Sequence, residues 1–259
     1  MAREIKPYEE LELKDDFMFG LIMHDPKYVK PFLEMILKIK IRKVVYPQSQ
    51  KSIDLSANAK AIRLDVYVED DQNTVFNLEM QTSDNRNLPK RMRYYQGVID
   101  LNILQKGQDY TKLKKSYVIF ICTFDPFGEG RHIYTFCNIC QENTALTLDD
   151  DAVKIILSTK GTMDDVSPEM KRILDYIDGK GASDEYTKQL EEAVRSARQN
   201  ESWRLGYMTL EYEYRQRYEE GLKEGEETGI AKTNERSIRK LYKRGESIAS
   251  IAEFVELDE

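Results

Sequence analysis

The sequence predicts an α/β fold, a mixed β-sheet flanked by helices, followed by an all-helical C-terminal region. Residues 62–68 and 75–81 each alternate apolar and polar positions with the two-residue period of strands. KKSYVIFICTF (114–124) is a continuous apolar run of the kind that fills a central strand buried on both faces. Helical patterns surround these strands, and from Pro168 onward they are all that remains.

In chain order, Asp15 or Asp16 is expected to cap a first helix over FMFGLIM, since either carboxylate can accept the free backbone N–H groups of a first turn. A second helix starts near Pro26, with Phe32, Met35, Ile36 and Ile39 at helical spacing. Ile62, Leu64, Val66 and Val68 then alternate with Arg63, Asp65 and Tyr67. After the turn sequence EDDQNT, Phe76, Leu78 and Met80 alternate with Asn77, Glu79 and Gln81. Two strands this close in sequence pair as an antiparallel hairpin. A helix from about Pro89 to Leu104 carries the apolar stripe Met92, Tyr95, Ile99 and Ile103. As a crossover, it makes the central strand parallel to the second hairpin strand. RHIYTFCNI and DAVKIILST read as edge strands, YIDGKGASDEY interrupts the later helices, and a long polar helix resumes near Tyr186. The expected division is a core over residues 1–160 and a helical region over 161–259 suited to oligomerisation or partner binding.

A 259-residue chain with 41% hydrophobic residues can bury a core. Charged residues at 33% and a mean hydropathy of -0.62 predict a soluble protein with much exposed helix. No apolar run reaches the roughly 18 residues of a membrane span, and MAREIKPYEELELKDD lacks the apolar centre of a secretory signal. Cys122, Cys137 and Cys140 make no disulfide framework, which fits the cytoplasm. The net charge of -7 is unfavourable for a nucleic acid partner. Its distribution is not: residues 82–116 hold eight basic residues against three acidic ones, directly after the hairpin.

Parity gives the hairpin chemical content. Leu64, Val66 and Val68 share a face with Met80, Leu78 and Phe76 only if the paired residue numbers have an even sum. A sum of 144 sets Asp65 opposite Glu79 and Arg63 opposite Gln81, whereas a one-residue slip would bury the polar set. Two carboxylates held this close repel unless a cation or proton lies between them. Hard oxygen ligands with open positions suit Mg²⁺ or Mn²⁺ and phosphate oxygens. The Met80 carbonyl is a further oxygen, and the Gln81 amide can orient a water or donate to phosphate. Parity alone leaves open the alternative that Asp65 and Glu79 are the solvent face of an amphipathic hairpin.

IRLDVYVEDDQNTVFNLEMQ resembles the core of the PD-(D/E)XK, restriction-endonuclease-like nucleases, with an Asp on one strand and Glu-x-Lys or Glu-x-Gln on the next. The Glu-x-Gln form is similar to the Rpn recombination-promoting nucleases, also described as PD-(D/E)XK family transposases. LKDDFMFGLIM resembles the opening helix of that family, and KRMRYYQGVIDLNILQKGQDYTKLKKSYVIFIC its helix, loop and central strand. VKIILSTKG, YIDGKGASDEY and RLGYMTLEYE resemble later segments, so the likeness extends to about Gly229. It implies a metal-dependent DNA endonuclease of recombination or mobile-element movement, using Mg²⁺ foremost, or Mn²⁺ or Ca²⁺. Asp65 and Glu79 are then metal ligands and Gln81 the third catalytic position. Lys is commoner there in the superfamily, and an amide stabilises developing negative charge less. A weakly active or inactive DNA- or protein-binding module is the alternative.

Other signals are less specific. Lys60, Arg63, Arg86, Lys90, Arg91 and Arg93 flank the hairpin and suit phosphate contact, or an ordinary solvated surface. Tyr95 falls on an apolar stripe and reads as core. His24 and His132 have no partner at a motif spacing, and Cys137-x-x-Cys140 lacks the second pair of a zinc site. Gly221, Gly225 and Gly229 lie along one side of a helix, fitting close helix approach, and hence a homo-oligomer, or a frayed charged tail. Two short helices are expected around Gly245.

Overall fold

A computed structural model describes residues 5–45, 65–255 and, for backbone alone, 52–53 and 62–63. It forms two compact units, one spanning Pro7–Asn200 and one made of the chain from Glu201 with the N-terminal residues to Lys6.

In the first unit, α1 (Asp16–Met23) and α2 (Pro26–Leu37) precede the short strand β1 (Val44–Val45). The N-cap of α1 is Asp15, but its side chain does not cap the helix. Asp15 Oδ2 instead accepts the Glu12 N–H at 2.7 Å, and Asp16 Oδ1 that of Phe17 at 2.9 Å. Asp25 does cap α2, accepting from Lys27 N–H. The buried face of α2 is Val29, Phe32, Leu33 and Ile36. The helix ends at Leu37 with Lys38 left-handed, so Ile39 is exposed rather than part of the apolar stripe.

The strand expected over 62–68 is interrupted. β2 (Ser52–Ile53) and β3 (Ile62–Arg63) pair with each other in a separate two-stranded sheet, and β4 (Val66–Asp70) begins after a bend at Asp65. β5 (Val75–Gln81), α3 (Leu88–Ile103) and β6 (Ser116–Cys122) follow, then β7 (Ile133–Phe136) and β8 (Ala152–Ser158). The main sheet has the order β1-β4-β5-β6-β8-β7. β6 is parallel to both β5 and β8, while β4 and β7 run antiparallel to their neighbours. The continuous apolar run thus occupies the centre, where Val118 to Cys122 are wholly buried. β7 takes the edge, and β8 lies inside the sheet rather than at its edge.

Alternation gives the sheet two faces. On one, Leu88, Met92, Tyr95, Val98 and Ile99 of α3 form a core with Tyr67, Val118, Phe120 and Ile156. In a second helical layer α1 packs on β5, and α2, α4 (Pro168–Ile177) and α5 (Glu185–Arg198) pack around it. Residues 161–200 lie in the first compact unit, with Met170, Ile173, Leu190 and Val194 buried. The second unit holds α6 (Glu201–Lys243) and, beyond the left-handed Gly245, α7 (Ile248–Phe254) capped by Ser247. The first helix expected near Gly245 is thus the end of α6. Among the described residues, no helix is long and apolar enough to cross a membrane.

Candidate active site

β4 and β5 pair Val66 with Leu78, Tyr67 with Asn77 and Val68 with Phe76, the register expected from parity. One step beyond β4, the Asp65 N–H donates to Glu79 Oε1 at 3.2 Å, and the Met80 N–H donates to Asp65 Oδ2 at 3.1 Å. The Asp65 side chain thus takes the place of a strand acceptor where the ladder stops. In an extended strand the N–H and C=O of one residue point to the same side, so the Met80 carbonyl also faces Asp65. Asn77 fixes Glu79 from the same face of β5: its Nδ2 donates to Glu79 Oε1 at 2.8 Å and to the Val66 carbonyl at 3.3 Å. Arg63 does not oppose Gln81, because its backbone pairs with Ser52.

The polar face of this hairpin is not a solvent face. Every residue of β5 is buried, Glu79 being 3% exposed, because α3 lies across the side that carries Asn77, Glu79 and Gln81. Strand alternation predicted the two faces, but only the crossover helix determines that both are covered. Burial first, and then the Asp65 charge, push the Glu79 carboxyl well above the ordinary carboxylate range; Asn77, the Asp65 N–H and Arg91 act in the opposite sense. The Tyr95 phenol is pushed up to about 12, by burial and then by Glu79, so it stays neutral at physiological pH.

The donor set fits a small divalent cation. The buried Glu79 carboxylate and the half-buried Asp65 carboxylate repel, and Asn77 Oδ1, on the same face, is buried without a hydrogen-bond partner among the described residues. These carboxylate and amide groups all offer hard oxygens of the type that Mg²⁺ or Mn²⁺ takes. Among the described residues no three His, Cys, Asp or Glu side chains gather into a cage. The pair would leave coordination positions open to water and phosphate.

Gln81 is committed at both ends. Its Nε2 donates to the Ser83 carbonyl at 2.6 Å, and its Oε1 accepts from Arg91 Nη1. Of the expected basic contacts, only Arg91 is brought to the hairpin by a described interaction. Arg86, Lys90 and Arg93 are exposed, Lys60 lies outside the described residues, and Arg63 is described by its backbone alone.

Asn77 and Gly20 contribute in ways that the sequence reading did not single out. A Cβ on Gly20 would stand 3.2 Å from the Asp65 carbonyl oxygen, so the glycine lets α1 pass close to the backbone that presents Asp65. Its signal was a glycine inside an apolar helix, where it costs about 1 kcal/mol relative to alanine. Folding also gives His132 partners absent at any motif spacing: its Nδ1 lies 2.8 Å from Asp165 Oδ1 and its Nε2 3.3 Å from Lys171 Nζ.

The family model described as PD-(D/E)XK nuclease family transposase matches residues 14–226. No curated protein matches the chain, and no solved structure does.

Proposed function

Because the chain belongs to the PD-(D/E)XK nuclease family transposases, we propose that it is a metal-dependent DNA endonuclease acting in recombination or mobile-element movement. The observation that carries this reading is the apposition of the half-buried Asp65 and the buried Glu79 across the end of the β4–β5 ladder. Asp65, Glu79 and the Met80 carbonyl form the ligand set, and Gln81 is the third catalytic position. A bound Mg²⁺, with Mn²⁺ or Ca²⁺ as substitutes, supplies Lewis acidity and an acidified water for attack on a phosphodiester.

The chain's own residues set the geometry. The Met80 N–H holds Asp65 Oδ2, while the Asp65 N–H and Asn77 hold Glu79 Oε1, so neither carboxylate must reorganise when a cation enters. The α3 core keeps water from the inner side of the site. Arg86, Lys90 and Arg93, with Lys60 and Arg63, contact DNA phosphates and position the duplex without reading its sequence. Three free thiols and the absence of a membrane-crossing helix among the described residues support a cytoplasmic setting. Exposed Leu205, Met208, Tyr212 and Leu222 on α6 support homo-oligomerisation through the C-terminal helices.

The test is supercoiled plasmid cleavage with Mg²⁺, Mn²⁺ or Ca²⁺ by the parent, Asp65→Ala and Glu79→Ala. Metal-dependent cleavage by the parent alone is expected. Equal cleavage by all three contradicts the site. Salt-sensitive DNA binding without cleavage in any metal identifies a binding module instead.

A further inference from the structure

The third position of the site carries a neutral amide, and the fold places a cation directly on it. Arg91, on the first turn of α3, turns inward while its neighbours Lys90 and Arg93 are exposed. Its Nη1 donates to Gln81 Oε1 and its Nη2 to Tyr95 Oη at 3.2 Å. The guanidinium lies 5.6 Å from the Tyr95 ring centre and 5.3 Å from that of Phe120, so aromatic faces shield it from water. Gln81 is itself fixed through its other end by Ser83.

Three neutral groups therefore hold a half-buried positive charge in place. The hydrogen-bond partners Gln81 and Tyr95 are neutral, and Arg91 bears electrostatically on Glu79. Guanidinium has more N–H donors than these two bonds use. A partly desolvated cation with donors to spare, fixed by neutral groups beside a ligand pair, is poised for an anion that arrives with the substrate.

We propose that Arg91 is a catalytic residue that binds the scissile phosphate and stabilises the negative charge built up on it, with Gln81 and Tyr95 as its positioning residues. This rests on reading Asp65 and Glu79 as a phosphodiester-hydrolysing centre. In that reaction the water oxygen bonds to phosphorus and gives up a proton to solvent, the phosphorus–oxygen ester bond breaks, and the leaving oxygen gains a proton from solvent. Arg91 exchanges no proton. It lowers the energy of the more negative phosphate, which asks of the strand position only an amide that aims the guanidinium.

The experiment compares the parent, Arg91→Ala and the double variant Arg91→Ala/Gln81→Lys, after thermal unfolding has shown them folded. Two quantities are read: the salt dependence of duplex oligonucleotide binding in EDTA, and single-turnover cleavage with Mn²⁺. Arg91→Ala is expected to lower the slope of log K against log salt by about one. It should slow cleavage by roughly 10²–10³-fold, the effect of losing one preorganised electrostatic group. The double variant, with an ammonium on the strand, should recover at least about tenfold of that loss; a purely packing role for Arg91 would not be rescued this way. If Arg91→Ala does not fold, Arg91→Met keeps the stem and the same readouts decide. A parent that cleaves beside an Arg91 variant that cleaves equally fast overturns this inference alone, as does an unchanged salt slope or a failed rescue. A parent that does not cleave with Mg²⁺ or Mn²⁺ overturns the underlying reading and the role of Arg91 with it.

Discussion

Glu79→Gln in protein stripped of divalent ions isolates the electrostatics of the site. The amide keeps the acceptor that receives the Asp65 N–H and Asn77 Nδ2, and removes the charge from a group only 3% exposed. Burial first, and then the neighbouring Asp65 charge, disfavour the ionised form of Glu79. The carboxyl responds by holding its proton, which fixes the sign of the pH dependence. Its folded pKa lies above the ordinary 4.5, so its stabilising contribution is full below that value and is lost as pH rises toward the folded pKa. Glutamine does not titrate. The stability of the variant minus that of the parent should therefore grow with pH, by up to about 1.4 kcal/mol per unit, and level off above the folded pKa. Urea unfolding in EDTA from about pH 5 to pH 8 measures it. Adding Mg²⁺ at about a hundred times its dissociation constant should stabilise the parent by roughly 2.7 kcal/mol and leave the variant unchanged. A difference constant across the pH range, or equal stabilisation of both proteins by Mg²⁺, would refute the reasoning.

Other substitutions probe how the fold presents the site. Gly20→Ala places a Cβ against the Asp65 carbonyl oxygen, and the resulting shift of a few tenths of an ångström should slow plasmid cleavage about tenfold with little change in unfolding midpoint. A Cβ at Gly161 would stand 2.7 Å from the His132 backbone nitrogen. Gly161→Ala should therefore cost about 1–3 kcal/mol in urea unfolding, through displacement of a buried, hydrogen-bonded histidine. Ile99→Ala, in the core beneath α3, should cost about 2–5 kcal/mol by the same measurement.

The hairpin was legible because parity is a strict constraint. Only one family of registers keeps Val66 and Val68 with Leu78 and Phe76, and the observed pairing belongs to it. The central strand was legible from the unbroken run 116–122. The bend at Asp65 was not, since alternation continues through Ile62, Leu64 and Val66 while the backbone changes partner between β3 and β4. Burial of the polar face was also hidden, because it depends on where α3 lies rather than on any residue of β5. The inward turn of Arg91 shows the same limit. In the sequence it is one of four basic residues over 86–93, and only its position four before Tyr95 on α3 sets it apart. The continuation of the first compact unit through α5 likewise depends on tertiary packing of the amphipathic helices α4 and α5.

The most direct measurement is an anomalous-scattering crystal structure of the protein soaked in Mn²⁺. One ion is expected, bonded to carboxylate oxygens of both Asp65 and Glu79 at about 2.1 Å, within reach of the Met80 carbonyl, and absent from Glu79→Gln. Mn²⁺ bound only elsewhere, in crystals of protein that cleaves plasmid DNA with Mn²⁺, would contradict it.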